Sequence, residues 1–276
     1  MDGQRNLGRP IRVVLFGGGP TLEWGVRQFI CRLEAHPEIA FLGAFCQSQG
    51  RTLAAVASDL WQRRGLLAVP LLALSLASHA GRFLAHPRAQ MALNREMARL
   101  CDRIRYVPDI HAGHVREQVR SLRPDLGLIY GSPILRPELF EIPDLGTLGI
   151  HHGKLPEYRG KKTTFWAMYN GEQTAGVTIQ RVNAGLDTGE IARQGNVSIG
   201  RRSLRVVWSE LENLGLDLYI RAILDAKQGT ASYRPQVGKK GPLYRDPKLG
   251  DILKLWWRRS KAPSADRMHT AEQNHS

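Results

Sequence analysis

The 276-residue sequence predicts an α/β fold: a Rossmann-like parallel sheet, broken by a helical insertion and followed by a short basic extension. Its first fifty residues carry the prediction. Ile11–Phe16 is a β-branched apolar run that stops at Gly17-Gly18-Gly19, the pattern of a buried strand entering a tight turn. Thr21–Ala35 then suits a helix, with Thr21 as N-cap and Pro37 just beyond its end, and Phe41–Cys46 reads as a second strand. A strand–helix–strand start places both strands parallel in one sheet. The turn is not a dinucleotide fingerprint, because Gly17-Gly18-Gly19-Pro20 does not supply G-x-G-x-x-G and no suitably placed acid follows.

Residues 51–105 read as basic helices inserted into this core. Leu66–Ala77, with Pro70 inside it, precedes Arg82, Arg88, Arg95, Arg99, Arg103 and Arg105. Such a segment is either an interfacial or partner-binding element or a flap packed on its own domain. From Tyr106 the core resumes. His111–Leu122 reads as a helix, Asp125–Tyr130 as a buried strand ending in Gly131-Ser132, and Thr147–Ile150 as a strand that delivers His151 at its carboxyl end. Thr163–Asn170 reads as a helix, Gly176–Val182 as a strand, and Ser203–Lys227 as a long helix capped by Ser203 and ended near Gly229. The expected organisation is a core over 10–227, a small extension over 228–259 and a disordered tail over 260–276.

The net charge of +14 is unevenly spread. Residues 106–197 carry ten basic and ten acidic side chains, whereas 51–105 and 228–276 each carry a surplus of six positive charges. A positive field outside a neutral core suits an anionic partner or surface, and a solvated basic exterior is the plainer alternative. Cys31, Cys46 and Cys101 have neither C-x-x-C spacing nor a neighbouring histidine cluster, so neither a disulfide nor a metal site is expected. The N-terminus has no apolar core of signal-peptide type. The longest apolar run reaches about half the roughly 20 residues of a membrane span. A cytoplasmic location is expected, with peripheral membrane contact as an option.

The chemistry gathers between Gly146 and Gly189. His151 at a strand end and Asp187 on a glycine-flanked loop form a pair suited to moving a proton, since a carboxylate orients an imidazole and raises its proton affinity. Four motifs follow in order: His151 before Gly153-Lys154-Leu155-Pro156, then Tyr158-Arg159-Gly160, Gly176-Val177-Thr178, and Leu186-Asp187-Thr188-Gly189. Together they resemble the folate-dependent formyltransferases, which move a formyl group from 10-formyltetrahydrofolate to an amine. The likeness spans about 10–227 and is strongest from Leu122 to Ile199.

That resemblance implies that His151 and Asp187 hold the formyl group and manage its protons, without a metal. It implies a folate pocket lined by Tyr130, Gly131, Ile134 and Leu135, with Leu155 and Pro156 in the loop over the site. It assigns His152, Tyr158 and Arg159 to the acceptor, although His152 could face solvent and Arg159 could clasp its own loop. At one position the sequence departs from the family, which has Asn two residues before the histidine where this chain has Gly149. The Gly153-Lys154-Leu155-Pro156 variant is most similar to sugar N-formyltransferases, which points to a phosphate-bearing amino sugar on a nucleotide or lipid carrier. The alternatives are a methionyl-tRNA formyltransferase-like enzyme, for which the basic tail would meet nucleic acid, a folate-binding protein with attenuated catalysis, and a formyl-folate hydrolase.

Overall fold

A computed structural model describes residues 8–18, 24–48 and 87–261. The Thr21 cap, the rest of the glycine turn, the insertion over 51–86 and the tail beyond 261 lie outside the described residues. Among the described residues, seven strands form one sheet in the order β3-β2-β1-β4-β5-β7-β8. They are β1 (Ile11–Gly18), β2 (Ile39–Gln47), β3 (Ile104–Val107), β4 (Leu126–Tyr130), β5 (Thr147–His151), β7 (Thr174–Arg181) and β8 (Ile191–Ser198). The first five in that order are parallel, and β7 and β8 add an antiparallel hairpin at one edge. The expected parallel sheet is therefore present. Ile104 and Arg105, inside the range read as insertion, belong to its other edge strand.

Two helical layers cover the sheet. On one face lie α1 (Trp24–Ala35) and the long α6 (Leu204–Gln228). Val26, Phe29, Ile30 and Leu33 repeat at helical spacing and bury one stripe of α1. The α6 helix starts where Ser203 accepts the Val206 N–H and ends at Gly229 in a left-handed cap. Its Gly215 lets the helix approach the sheet, because a Cβ there would lie 2.8 Å from Ile150 and 3.0 Å from Val177. The other face carries α3 (Gly113–Ser121) and the single turn α4 (Pro137–Phe140), whose Val115, Val119, Leu139 and Phe140 pack on Val14, Phe16 and Phe45. The α2 helix (Pro87–Arg99) packs on α1, and α5 (Thr163–Tyr169) follows a two-residue strand β6 (Arg159–Gly160). A second small sheet joins β6 to β9 (Leu243–Tyr244), and α7 (Leu249–Lys261) closes the described chain.

Strand order places a crevice. The chain steps outward from β1 to β2 and β3, then returns to lay β4 on the other side of β1, so the carboxyl ends of β1 and β4 flank a switch point. Ligands of open α/β sheets bind at such points. Gly18 and Gly131 meet there so closely that a Cβ on Gly18 would lie 2.8 Å from the Gly131 carbonyl.

Beneath the next pair of strands, Tyr219 of α6 is fully buried and stacks on Phe29 at 4.6 Å. Its hydroxyl accepts the Ile129 N–H at 2.9 Å and donates to the Leu148 carbonyl at 2.7 Å, bridging β4 and β5. Tyr219→Phe would leave both backbone groups buried without that partner. We expect a loss of about 1–3 kcal/mol in stability, read by urea denaturation; an unchanged midpoint would show that the bridge contributes nothing.

Candidate active site

The alternation of β5 sorts its side chains. Leu148 and Ile150 pack toward α1 and α6, whereas Thr147, Gly149 and His151 face the opposite side. His152, the next residue, turns back to the α6 side. The two adjacent histidines thus occupy separate surroundings.

His151 is buried. Its Nε2 lies 2.7 Å from the Tyr158 carbonyl oxygen and its Nδ1 lies 3.5 Å from Asp187 Oδ1. A carbonyl only accepts, so Nε2 carries the proton and Nδ1 presents a lone pair toward Asp187. Gly153 makes room for this contact, since a side chain there would collide with the Tyr158 carbonyl and the His151 ring. Burial pushes the imidazole below its ordinary value of 6.5; the Asp187 charge and the Tyr158 carbonyl oppose this, and His152 and Arg159 reinforce it. The resting ring is therefore neutral at physiological pH.

A cross-strand polar row fixes the loop that supplies the Tyr158 carbonyl. His151, Thr178 and Gln194 stand opposite one another on β5, β7 and β8. Thr178 Oγ1 donates to the Gly153 carbonyl at 2.7 Å, and the Gln194 amide donates to the Leu155 carbonyl at 3.0 Å and to Thr178 Oγ1 at 2.9 Å. Leu155 and Pro156, within this loop, are buried.

Asp187 reaches His151 by an indirect path. Leu148 pairs with Arg181, so the β7–β8 connection leaves the sheet at the end away from His151 and folds back along its face. Asp187 sits in the left-handed region at φ 52°, a conformation that aspartate tolerates better than most residues. Its Oδ2 accepts the Gly160 N–H at 2.8 Å, and the Gln180 amide approaches Oδ1 at 3.4 Å. Gln180 also accepts the Gly189 N–H at 3.2 Å.

Gln236, from the extension beyond α6, donates to the Gly189 carbonyl at 2.8 Å and the Asp187 carbonyl at 3.1 Å. The same extension grips the other loop. The Gly241 N–H bonds the Pro156 carbonyl, β9 pairs with β6, and Tyr244 stacks on Tyr158 at 5.4 Å. Neither Gln180 nor Gln236 was legible as a site residue in the sequence. Isolated glutamines carry no motif, and only the β7 register and the path of the extension bring them to Asp187.

The other sequence candidates are placed as follows. Tyr130 is buried and its hydroxyl donates to Glu212 of α6; Leu135 belongs to the core beside Leu139 and Phe140. Gly131, at φ 63°, and Ile134 are exposed. His152 Nε2 lies 2.8 Å from Glu212 Oε2, and its ring packs 4.6 Å from Trp208. Burial opposes the Glu212 charge, but contact with His152 and the Tyr130 hydroxyl outweighs it and holds the carboxyl below the usual range. Tyr158 donates its hydroxyl to Glu172 at 2.8 Å, and Arg159 donates to the Leu186 carbonyl at 2.7 Å. Arg159 therefore clasps the loop that carries Asp187, one of the two options open from sequence.

Comparison with known proteins gives this geometry a context. Residues 87–223 match the family described as formyl transferase. A methionyl-tRNA formyltransferase from Thermodesulfovibrio yellowstonii is 36% identical over 126 residues, covering 45% of this chain and 41% of the relative. The chain thus spans less than half the length of this curated relative. Among solved structures, a formyltetrahydrofolate deformylase from Pseudomonas syringae superposes with a TM-score of 0.54 at 18% identity, over 78% of this chain and 61% of that one. A Mycobacterium tuberculosis protein proposed as a sugar N-formyltransferase also gives 0.54, at 14% identity over 89% and 85%. At these identities the two structures establish a shared fold.

The neutral His151 makes stability depend on pH. Below about 6.5 the unfolded ring takes up a proton that the folded ring refuses, so stability falls as pH drops through that window. His151→Gln should flatten this part of the slope in urea titrations at about pH 7.5 and about pH 5.5. Equal slopes for both proteins would contradict a buried neutral imidazole.

Proposed function

We propose that this chain, whose residues 87–223 match the formyl transferase family, moves a formyl group from 10-formyltetrahydrofolate to an amine. The observation that carries the reading is His151 held as a base beside Asp187, at the end of β5 and one strand from the switch-point crevice. We place the flat ring system of the folate at that crevice, where Gly18 and Gly131 add no side chains. Bound there, the folate would supply the formyl carbon.

The residues divide the remaining work. With Nε2–H committed to the Tyr158 carbonyl, His151 can gain a proton only at Nδ1. That proton then lies between the ring and Asp187, whose charge stabilises the imidazolium that burial disfavours. The pair can therefore take a proton from an attacking amine and return it to the departing nitrogen. Gly160, Gln180 and Gln236 hold Asp187 and its loop in place. For the acceptor, we favour an amino sugar on a phosphate carrier, which the Gly153-Lys154-Leu155-Pro156 variant and the basic extension support. The curated relatives favour methionyl-tRNA instead.

Calorimetric titration with a non-transferable 10-formyl folate analogue, joined to formyl-transfer assays on both acceptors, tests this reading. Asp187→Asn should cut transfer by on the order of 10²–10⁴ while circular dichroism stays unchanged. Near-wild-type transfer would remove Asp187 from the chemistry. Absence of folate binding would defeat the reading as a whole, and formate release without any amine would convert it to hydrolysis.

A further inference from the structure

The α7 helix leaves an apolar face uncovered. Its inward face holds Leu255, buried with Val207 and Leu211 of α6. Arg258 donates to the Tyr169 carbonyl at 2.8 Å with its guanidinium 5.1 Å from the Tyr169 ring. Lys254 lies 5.5 Å from the same ring, and Arg259 donates to the Arg202 carbonyl at 2.6 Å. The exposed apolar side chains of α7 include Leu249, Ile252, Leu253 and Trp256, at 51%, 40%, 57% and 70%. At 3.6 residues per turn these four fall within an arc of about 100°. Water does not favour such an arrangement, and a contiguous apolar face of this kind marks a contact surface.

We propose that this face docks on an anionic lipid bilayer, an inference independent of the reading of the His151 site. Charge selects the occupant. Residues 228–276 carry ten basic and four acidic side chains, and Arg245, Lys248 and Lys254 are exposed around the helix. Cations of this density draw a protein to an anionic leaflet. The apolar residues select lipid over nucleic acid: Leu249, Ile252 and Leu253 gain nothing against phosphates or stacked bases, but bury apolar surface at the acyl boundary. Trp256 adds a side chain suited to the headgroup level. Among the described residues no helix is long and apolar enough to cross a membrane, so α7 would lie in the interface plane.

The full chain should co-sediment with phosphatidylcholine vesicles containing phosphatidylglycerol and not with phosphatidylcholine alone, and added salt should weaken the binding. Lipid with brominated acyl chains should quench tryptophan fluorescence, and Trp256→Ser should remove most of that quenching. Leu253→Asp with Trp256→Asp should lower vesicle binding at least about tenfold at unchanged circular dichroism. If the double variant does not fold, the Trp256→Ser quenching result decides. No binding to anionic vesicles, or binding and quenching that survive these changes, overturns the proposal. So does a face that proves, by light scattering on wild type and variant, to join two copies of the chain, or one that binds RNA but not vesicles.

Discussion

A carbonyl oxygen cannot donate a hydrogen bond, and the Tyr158 carbonyl lies 2.7 Å from His151 Nε2. This one contact fixes the proton on Nε2 and leaves Nδ1 as the only nitrogen that can change state. It also sets the loop, since residues 153–158 must fold back so that a backbone oxygen returns to the ring seven positions earlier. Gly153 permits the approach, Thr178 and Gln194 tie the loop down, and Tyr244 packs against its far side. The base and the loop beside it are one construction.

The second element of the site is built from the opposite direction. Asp187 belongs to a hairpin that must reverse along the sheet face to reach His151, and its positive φ is the backbone cost of that reversal. Three groups offset it: the nearby Gln180 amide and, from farther along the chain, the Gly160 N–H and Gln236. Because Gln236 and Gly241 grip different loops, the extension after α6 ties the two halves of the site together. Its contacts are those of a strap laid across the core.

How much of this was readable in advance follows from what encodes each part. The β1, β4 and β5 strands are buried on both faces and appear as apolar runs, and α6 announces itself by Ser203, Gly229 and its length, so these elements were legible. The β8 strand was not, because IARQGNVS is an edge strand with one mostly half-exposed surface and no apolar alternation. His151 and Asp187 were legible as a pair through their motifs. Their clasps were not, since a glutamine acts here only through the register that carries it. The assignment of His152 and Tyr158 to the acceptor came from the family resemblance, and the sequence carries no sign of their separate surroundings. The pleat sends His152 to Glu212 and Trp208, while Tyr158 gives its backbone to His151 and its ring to Tyr244.

Gly149 can be weighed in the same terms. It stands two residues before His151, on the same face, and pairs directly with Gln180 across β5 and β7. The only side chain on that pair is therefore the Gln180 amide, already committed to Asp187 and Gly189. A Cβ at 149 would rest 3.4 Å from Val182 and 3.7 Å from Ile129, ordinary packing distances, and the backbone there needs no positive φ. Neither sterics nor conformation demands a glycine. An amide introduced at 149 would be a second such group on the His151 face, added to Gln180 and not a substitute for it. Neither a Cβ nor the backbone conformation therefore requires the glycine at 149.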